Sequence, residues 1–148
     1  MKLSRTVSYA LQATMQLAEA ESDTPVPCSQ LASQGDMPER FLLQILRNLV
    51  TSGILKSTRG VEGGYSLTRP AEQISLLEVI EAIDGPLESN VELREGVSHD
   101  ELQRALKEVA TTSRRQLSAI KLSRLVIGSS SSSESLKTVG VDSQQKNV

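Results

Sequence analysis

The sequence predicts a mainly α-helical α+β fold with one small β-hairpin, and three observations predict it. Phe41, Leu42, Ile45, Leu46 and Leu49 recur at helical spacing. Two short runs follow at once, Ile54 to Arg59 and Tyr65 to Thr68, with Gly60, Gly63 and Gly64 clustered between them as a hairpin turn. Further on, a long stretch from Asp100 to about Leu117 places Leu102, Leu106, Val109 and Leu117 along one helical stripe. A short helix before the first of these makes a helix-turn-helix. A helix running into a glycine-tipped hairpin makes it winged.

In chain order, Thr6 to about Glu21 puts Val7, Ala10, Leu11, Thr14, Leu17 and Ala18 on one side of a first helix, with Lys2 and Arg5 at its N-terminal end. Thr24-Pro25-Val26-Pro27 is a rigid connector. Ser29 to Gln34 forms a short second helix that Gly35 ends. The third helix is expected to start at Asp36 as N-cap, with Glu39 closing a capping box and Pro38 in the first turn, and to stop at Gly53. Its apolar side leaves Arg40, Gln44, Arg47 and Thr51 opposite, with Leu43 at the edge and no acid among them. Ser75 and Glu78 make a second capping box for a structural helix through Leu76, Leu77, Val79, Ile80 and Ile83, which stops at Gly85-Pro86. A short segment from Ile120 to Val126 closes back on the body.

With 148 residues the chain is about one domain. Its hydrophobic content of 38% is depressed by the Ser-rich run after Gly128, which cannot bury enough apolar surface to order itself. No apolar run approaches the length of a membrane span, and the first residues begin an amphipathic helix rather than a signal peptide. A single cysteine, Cys28, permits neither an internal disulfide nor a cysteine-built metal site. The expectation is a cytoplasmic protein. No cation or histidine neighbours Cys28 in sequence to lower its pKa, so it reads as a small buried residue at the start of the second helix.

The net charge of -2 is unevenly spread. Between Met37 and Pro70 five cations (Arg40, Arg47, Lys56, Arg59, Arg69) face two acids, whereas Ala71 to Gln103 holds nine acids against Arg94 alone. Such segregation suits a protein with one surface turned to phosphate, and solvated faces are the other reading. Arg40 and Arg47 can reach base edges or phosphates, Gln44 can pair with adenine, and Leu43 can contact a thymine methyl. These residues on a lone helix would be an ordinary solvent-facing side. Beside a hairpin they read double-stranded DNA. A phosphate-binding loop is excluded at Gly60, Gly63 and Gly64, because no Lys-Ser/Thr follows and the next element is a strand.

KLSRTVSYALQATMQLA, PERFLLQILRNLVTSGIL, STRGVEGGYSLTRP and ISLLEVIEAIDGPL, in that order, resemble the Rrf-two family of bacterial winged-helix transcription regulators over residues 2 to about 125. The R-G-x-x-G-G-Y wing, Gly60 to Tyr65 after Arg59, carries the resemblance together with the segment that follows it. It implies that Arg59 reaches into the minor groove, or holds phosphate without sequence preference, and that Lys2 and Arg5 lie beside the DNA backbone, unless they are merely solvated. It also implies that the long helix pairs with its counterpart in a two-fold dimer, so that the operator is an imperfect palindrome. Repression is implied by the same analogy.

The resemblance divides the chain into a DNA-binding domain at 1–86, a loop at 87–99, a dimerisation helix and closing segment at 100–127, and a disordered tail at 128–148. Cluster-bearing members place three cysteines in that loop, and this chain has none between Leu87 and Leu102. His99 beside Asp100 reads as a surface loop residue. The expectation is a regulator without cofactor or metal, whose effector the sequence does not name. Catalysis finds no support, since one histidine, one cysteine and three aromatics leave little to line a reactive pocket. Two rivals stay open. One is a winged helix used for protein contact, and the other is a regulator with an unrecognised metal or small-molecule effector.

Overall fold

Ser4 starts the first helix, accepting the Val7 N–H on its side-chain oxygen at 3.2 Å. The computed structural model describes residues 1–20, 24–88 and 99–126. Helix α1 runs Arg5–Glu19 and buries Val7, Ala10, Ala13, Thr14 and Leu17, the face its spacing predicts. Helices α2 (Cys28–Gly35) and α3 (Glu39–Thr51) follow as the helix-turn-helix.

The turn between them differs from expectation. Asp36 does not cap α3. It takes a left-handed conformation (φ 51) that ends α2, and Pro38 stands at the α3 N-cap with no side-chain cap bond. Aspartate tolerates that conformation because its short polar side chain bonds locally. Gly35 remains helical, and its lack of a side chain serves a close approach instead. A Cβ there would lie 2.6 Å from Met37 Cε and 2.8 Å from Gln12 Nε2. That Gln12 amide donates to the Gly35 carbonyl at 2.8 Å, which locks α1 to the turn.

Leu42, Ile45, Leu46 and Leu49 form the buried side of α3. Phe41, grouped with them by spacing, is instead 45% exposed and packs edge-on to Tyr9, with ring centroids 6.0 Å apart. The helix ends in a Schellman motif. Gly53 is left-handed (φ 81), its N–H bonds Val50 O, and the Ile54 N–H bonds Leu49 O, both at 3.0 Å. Ile54 and Leu49 are both buried beside that turn.

The hairpin is shorter than its sequence run. Strand β1 (Leu55–Thr58) pairs antiparallel with β2 (Gly64–Leu67) in the register Leu55↔Leu67 to Thr58↔Gly64. The connector is more than a spacer, since Val26 and Tyr65 exchange both backbone hydrogen bonds at 2.9 Å. A Cβ on Gly64 would lie 2.4 Å from the Val26 carbonyl, so this bridge requires a glycine. Gly63 in the turn has no positive φ, and its lack of a side chain serves a close approach, since a Cβ there would lie 2.2 Å from Thr58 O.

After a 3₁₀ turn at Ala71–Gln73, α4 (Leu76–Asp84) opens with the expected Ser75/Glu78 capping box and closes on Gly85 (φ 82). Helix α5 (His99–Ala119) takes in His99, which therefore sits in its first turn rather than in a loop. Residues 89–98 and the tail at 128–148 lie outside the described residues.

The closing segment packs back as expected. Leu122 is fully buried, its N–H bonds Ile74 O at 2.9 Å, and Ile120 O accepts from Leu76 at 3.0 Å. Leu117 departs from the α5 stripe. It is buried within the chain's own body with Val7 and Ile80. Fifteen residues at about 100° each turn it about 60° away from Leu102, toward α4. Arg114 on that inward side pairs with Glu81 of α4.

Candidate nucleic-acid interface

At about 100° per residue, the buried α3 positions centre directly opposite Arg40, Gln44, Arg47 and Thr51. All four are exposed. Glu39 falls on one flank with Leu43 and Val50, and its carbonyl receives the Cys28 thiol at 3.8 Å from α2. The centre of the outward side therefore carries two cations and no acid. Leu43 is half-buried at the rim, the edge position its spacing predicts.

The opposite flank holds Phe41, which the sequence placed with the buried side, and Asn48, to which it gave no role. Asn48 Oδ1 accepts from Gln44 Nε2 at 3.2 Å, so the two amides orient one another along the helix surface. A shallow depression joins this flank to the start of α1, lined by Thr6, Pro38, Arg40, Phe41, Gln44 and Asn48. Arg5, the first residue of α1, is exposed, as is Lys2 before it. The signal for Phe41 was its place one step outside the buried set.

The wing tip carries Arg59, exposed where β1 ends, followed by Gly60 (φ 115). Beyond it Val61 is wholly exposed, an apolar side chain with nothing to cover it. Tyr65 turns the other way and packs partly into the core. Thus Arg59 is presented and Tyr65 anchors. Arg69, counted with the outward cations in sequence, is withdrawn. It bonds Glu78 at 2.5 Å and the Gln73 carbonyl at 3.0 Å.

Cys28 is half-buried at the first position of α2. Burial pushes its thiol pKa up, and the Glu39 carboxylate adds to the shift, so the thiolate is disfavoured. Among the described residues no group of three His, Cys, Asp or Glu could hold a metal ion. No helix among them is long and apolar enough to cross a membrane. On the outer side of α5, Leu102 and Val109 are 42% and 62% exposed, with Leu106 half-buried between them.

Comparison with known proteins agrees with this geometry. Residues 3–127 match the family model Rrf2, described as an iron-dependent transcriptional regulator. A helix-turn-helix-type transcriptional regulator of Mycobacterium tuberculosis H37Rv is 46% identical over 89 residues, 60% of this chain and 55% of that relative. The chain thus spans about half the length of that relative. CymR of Bacillus subtilis is 32% identical over 95 residues, covering 64% of this chain and 68% of its own. In structure, CymR of B. subtilis superposes with a TM-score of 0.74 at 23% identity, covering 85% of this chain and 96% of that one. IscR of T. potens gives 0.70 at 25% identity, over 87% and 88%.

Proposed function

The chain belongs to the Rrf2 family of transcriptional regulators, and from that premise we propose that it binds double-stranded DNA sequence-specifically as a homodimer and represses at an imperfect palindrome. One observation carries the reading: the outer side of α3 exposes Arg40 and Arg47 with no acid at its centre, and Arg59 is exposed at the wing tip, as a protein meeting a duplex with both elements requires. Arg40 and Arg47 suit bidentate contact with guanine or phosphate, Gln44 and Asn48 suit adenine, and Arg59 suits a narrow minor groove. Lys2 and Arg5, at the start of α1, fit contacts to the sugar-phosphate backbone that set register rather than sequence. The stripe of Leu102, Leu106 and Val109 would be covered by its counterpart in the second subunit.

An iron–sulfur cluster does not fit this chain. Such clusters are held chiefly by several thiolates, and the sequence has one cysteine, placed on α2 against the recognition helix. The proposed regulator therefore works without one.

Selection of genomic fragments by the purified protein against random competitor tests this reading. Recovery of a recurring, two-fold-related motif, with affinity that falls steeply as salt rises, is the expected result. Retention of no fragment over competitor at physiological ionic strength would overturn it and leave protein docking as the use of the same surface.

A further inference from the structure

Behind the wing lies a cavity of about 500 Å³, between the C-terminal end of α1 and the two strands, with Leu17, Ala18 and Leu67 among its apolar walls. Two polar groups on those walls have no side-chain partner among the described residues. Ser66 is only 8% exposed, yet its buried Oγ has no hydrogen-bond partner among the described residues. Lys56 lines the cavity too and makes no ion pair among the described residues. The two stand directly opposite on paired strands, and opposite residues share one face of the sheet.

The other polar walls are engaged or point to a limit on charge. Thr68 Oγ1 donates to the Gly53 carbonyl at 2.6 Å, and Arg69 is held by Glu78. Thr24 and Glu72 are exposed at the margin. With Arg69 neutralised and Glu72 present, Lys56 supplies the one cation left over, too little for a polyanion such as a nucleotide.

We propose that this cavity is a binding site for a small organic monocarboxylate with a short aliphatic body. The carboxylate accepts from Lys56 Nζ and Ser66 Oγ, and the body lies on Leu17 and Ala18. Because the Ser66 hydroxyl is sealed in the unliganded protein, binding must open a path to it beside Lys56 on the paired strand. Lys56 lies three residues before Arg59, so an occupied cavity acts on the strand that presents the wing tip.

Isovalerate, with uncharged isovaleramide as its matched control, is the probe. Titrated into the full chain without DNA, isovalerate is expected to shift the backbone amide resonances of Ala18, Lys56 and Ser66 saturably, and isovaleramide is not. Lys56→Met should weaken the isovalerate response by about tenfold or more, as loss of a charge-assisted contact does. Ser66→Ala should weaken it less while keeping a dispersed, folded spectrum. Absence of saturable shifts, equal shifts by the two probes, or an unchanged response in a folded Lys56→Met protein would each overturn the site. No DNA enters the titration, so its failure and a failure of DNA binding are separate results.

Discussion

Arg69 and Glu78 form a 2.5 Å ion pair that ties the chain leaving the wing to the first turn of α4. Glu78 also accepts the Ser75 N–H at 2.9 Å, and Ser75 Oγ accepts the Glu78 N–H at 3.2 Å. On the far side of Ser75, Ile74 and Leu76 are bonded to the closing segment after α5. Wing, α4 and the end of α5 therefore meet at one serine. The ion pair is more than a third exposed on both sides, so solvent screens it. The cap is the stronger part. Ser75→Ala should cost about 1 kcal/mol, and Arg69→Ala less than about 1 kcal/mol. Urea denaturation of both variants checks the order, and a larger loss from Arg69→Ala would refute it.

The same cluster sets a pH dependence. Burial alone would raise the Glu78 pKa, but the Ser75 backbone bond and Arg69 outweigh it and hold the carboxyl below its ordinary value of 4.5. A depressed folded pKa means that the unfolded chain binds its proton first as pH falls. Glu78 thus contributes stability that is present above pH 4.5 and is lost as pH drops through the lower folded value. In Glu78→Gln that contribution is absent, so the stability gap between the two proteins should narrow in acid. A gap that stays constant from neutral pH through the acid limb would contradict this.

Arg59→Ala should weaken binding to the selected operator by about 1–3 kcal/mol. Arg59 is exposed and makes no ion pair among the described residues, so circular dichroism and the sedimentation coefficient should not change. Unchanged affinity would remove the wing tip from the interface.

Arg47 separates two kinds of contact. If its guanidinium meets a base edge, Arg47→Ala costs about 1–3 kcal/mol and relaxes specificity at one operator position. If it meets phosphate, the loss is uniform over sequences and the salt slope falls by about one. Anisotropy titrations over a salt series, with operator and point-substituted operators, tell these apart; no change in either quantity would take Arg47 out of the interface.

Much of this was legible before the structure because it depends on local rules. The period of α3, its outward Arg40, Gln44 and Arg47, and the Ser75/Glu78 box are set by residues within one or two turns of each other. What was not legible depends on distant neighbours. Asp36 could satisfy either helix, and the packing of Met37 and Gln12 beside Gly35 gives it to α2. Nothing in a Pro-flanked Val26 announces a bridge to Tyr65, and Arg69 counts as a free cation until Glu78 is placed beside it. Leu117 fits the α5 stripe by spacing, but accumulated rotation carries it to Val7 and Ile80.

That rotation sharpens the last prediction, because it separates the surface available for pairing from the surface that holds α5 to its own body. Leu117 is buried at home, whereas Val109 is 62% exposed and is not part of either core cluster. A charge at Val109 should therefore cost little within one subunit but oppose burial against a second. Val109→Asp is expected to keep the helical spectrum and thermal unfolding of the subunit, shift the protein toward monomer in sedimentation equilibrium, and lower operator affinity through lost pairing of half-sites. Leu117→Asp should instead destabilise the subunit itself by about 3 kcal/mol or more. If Val109→Asp remains dimeric at micromolar concentration, the pairing surface lies elsewhere on the chain.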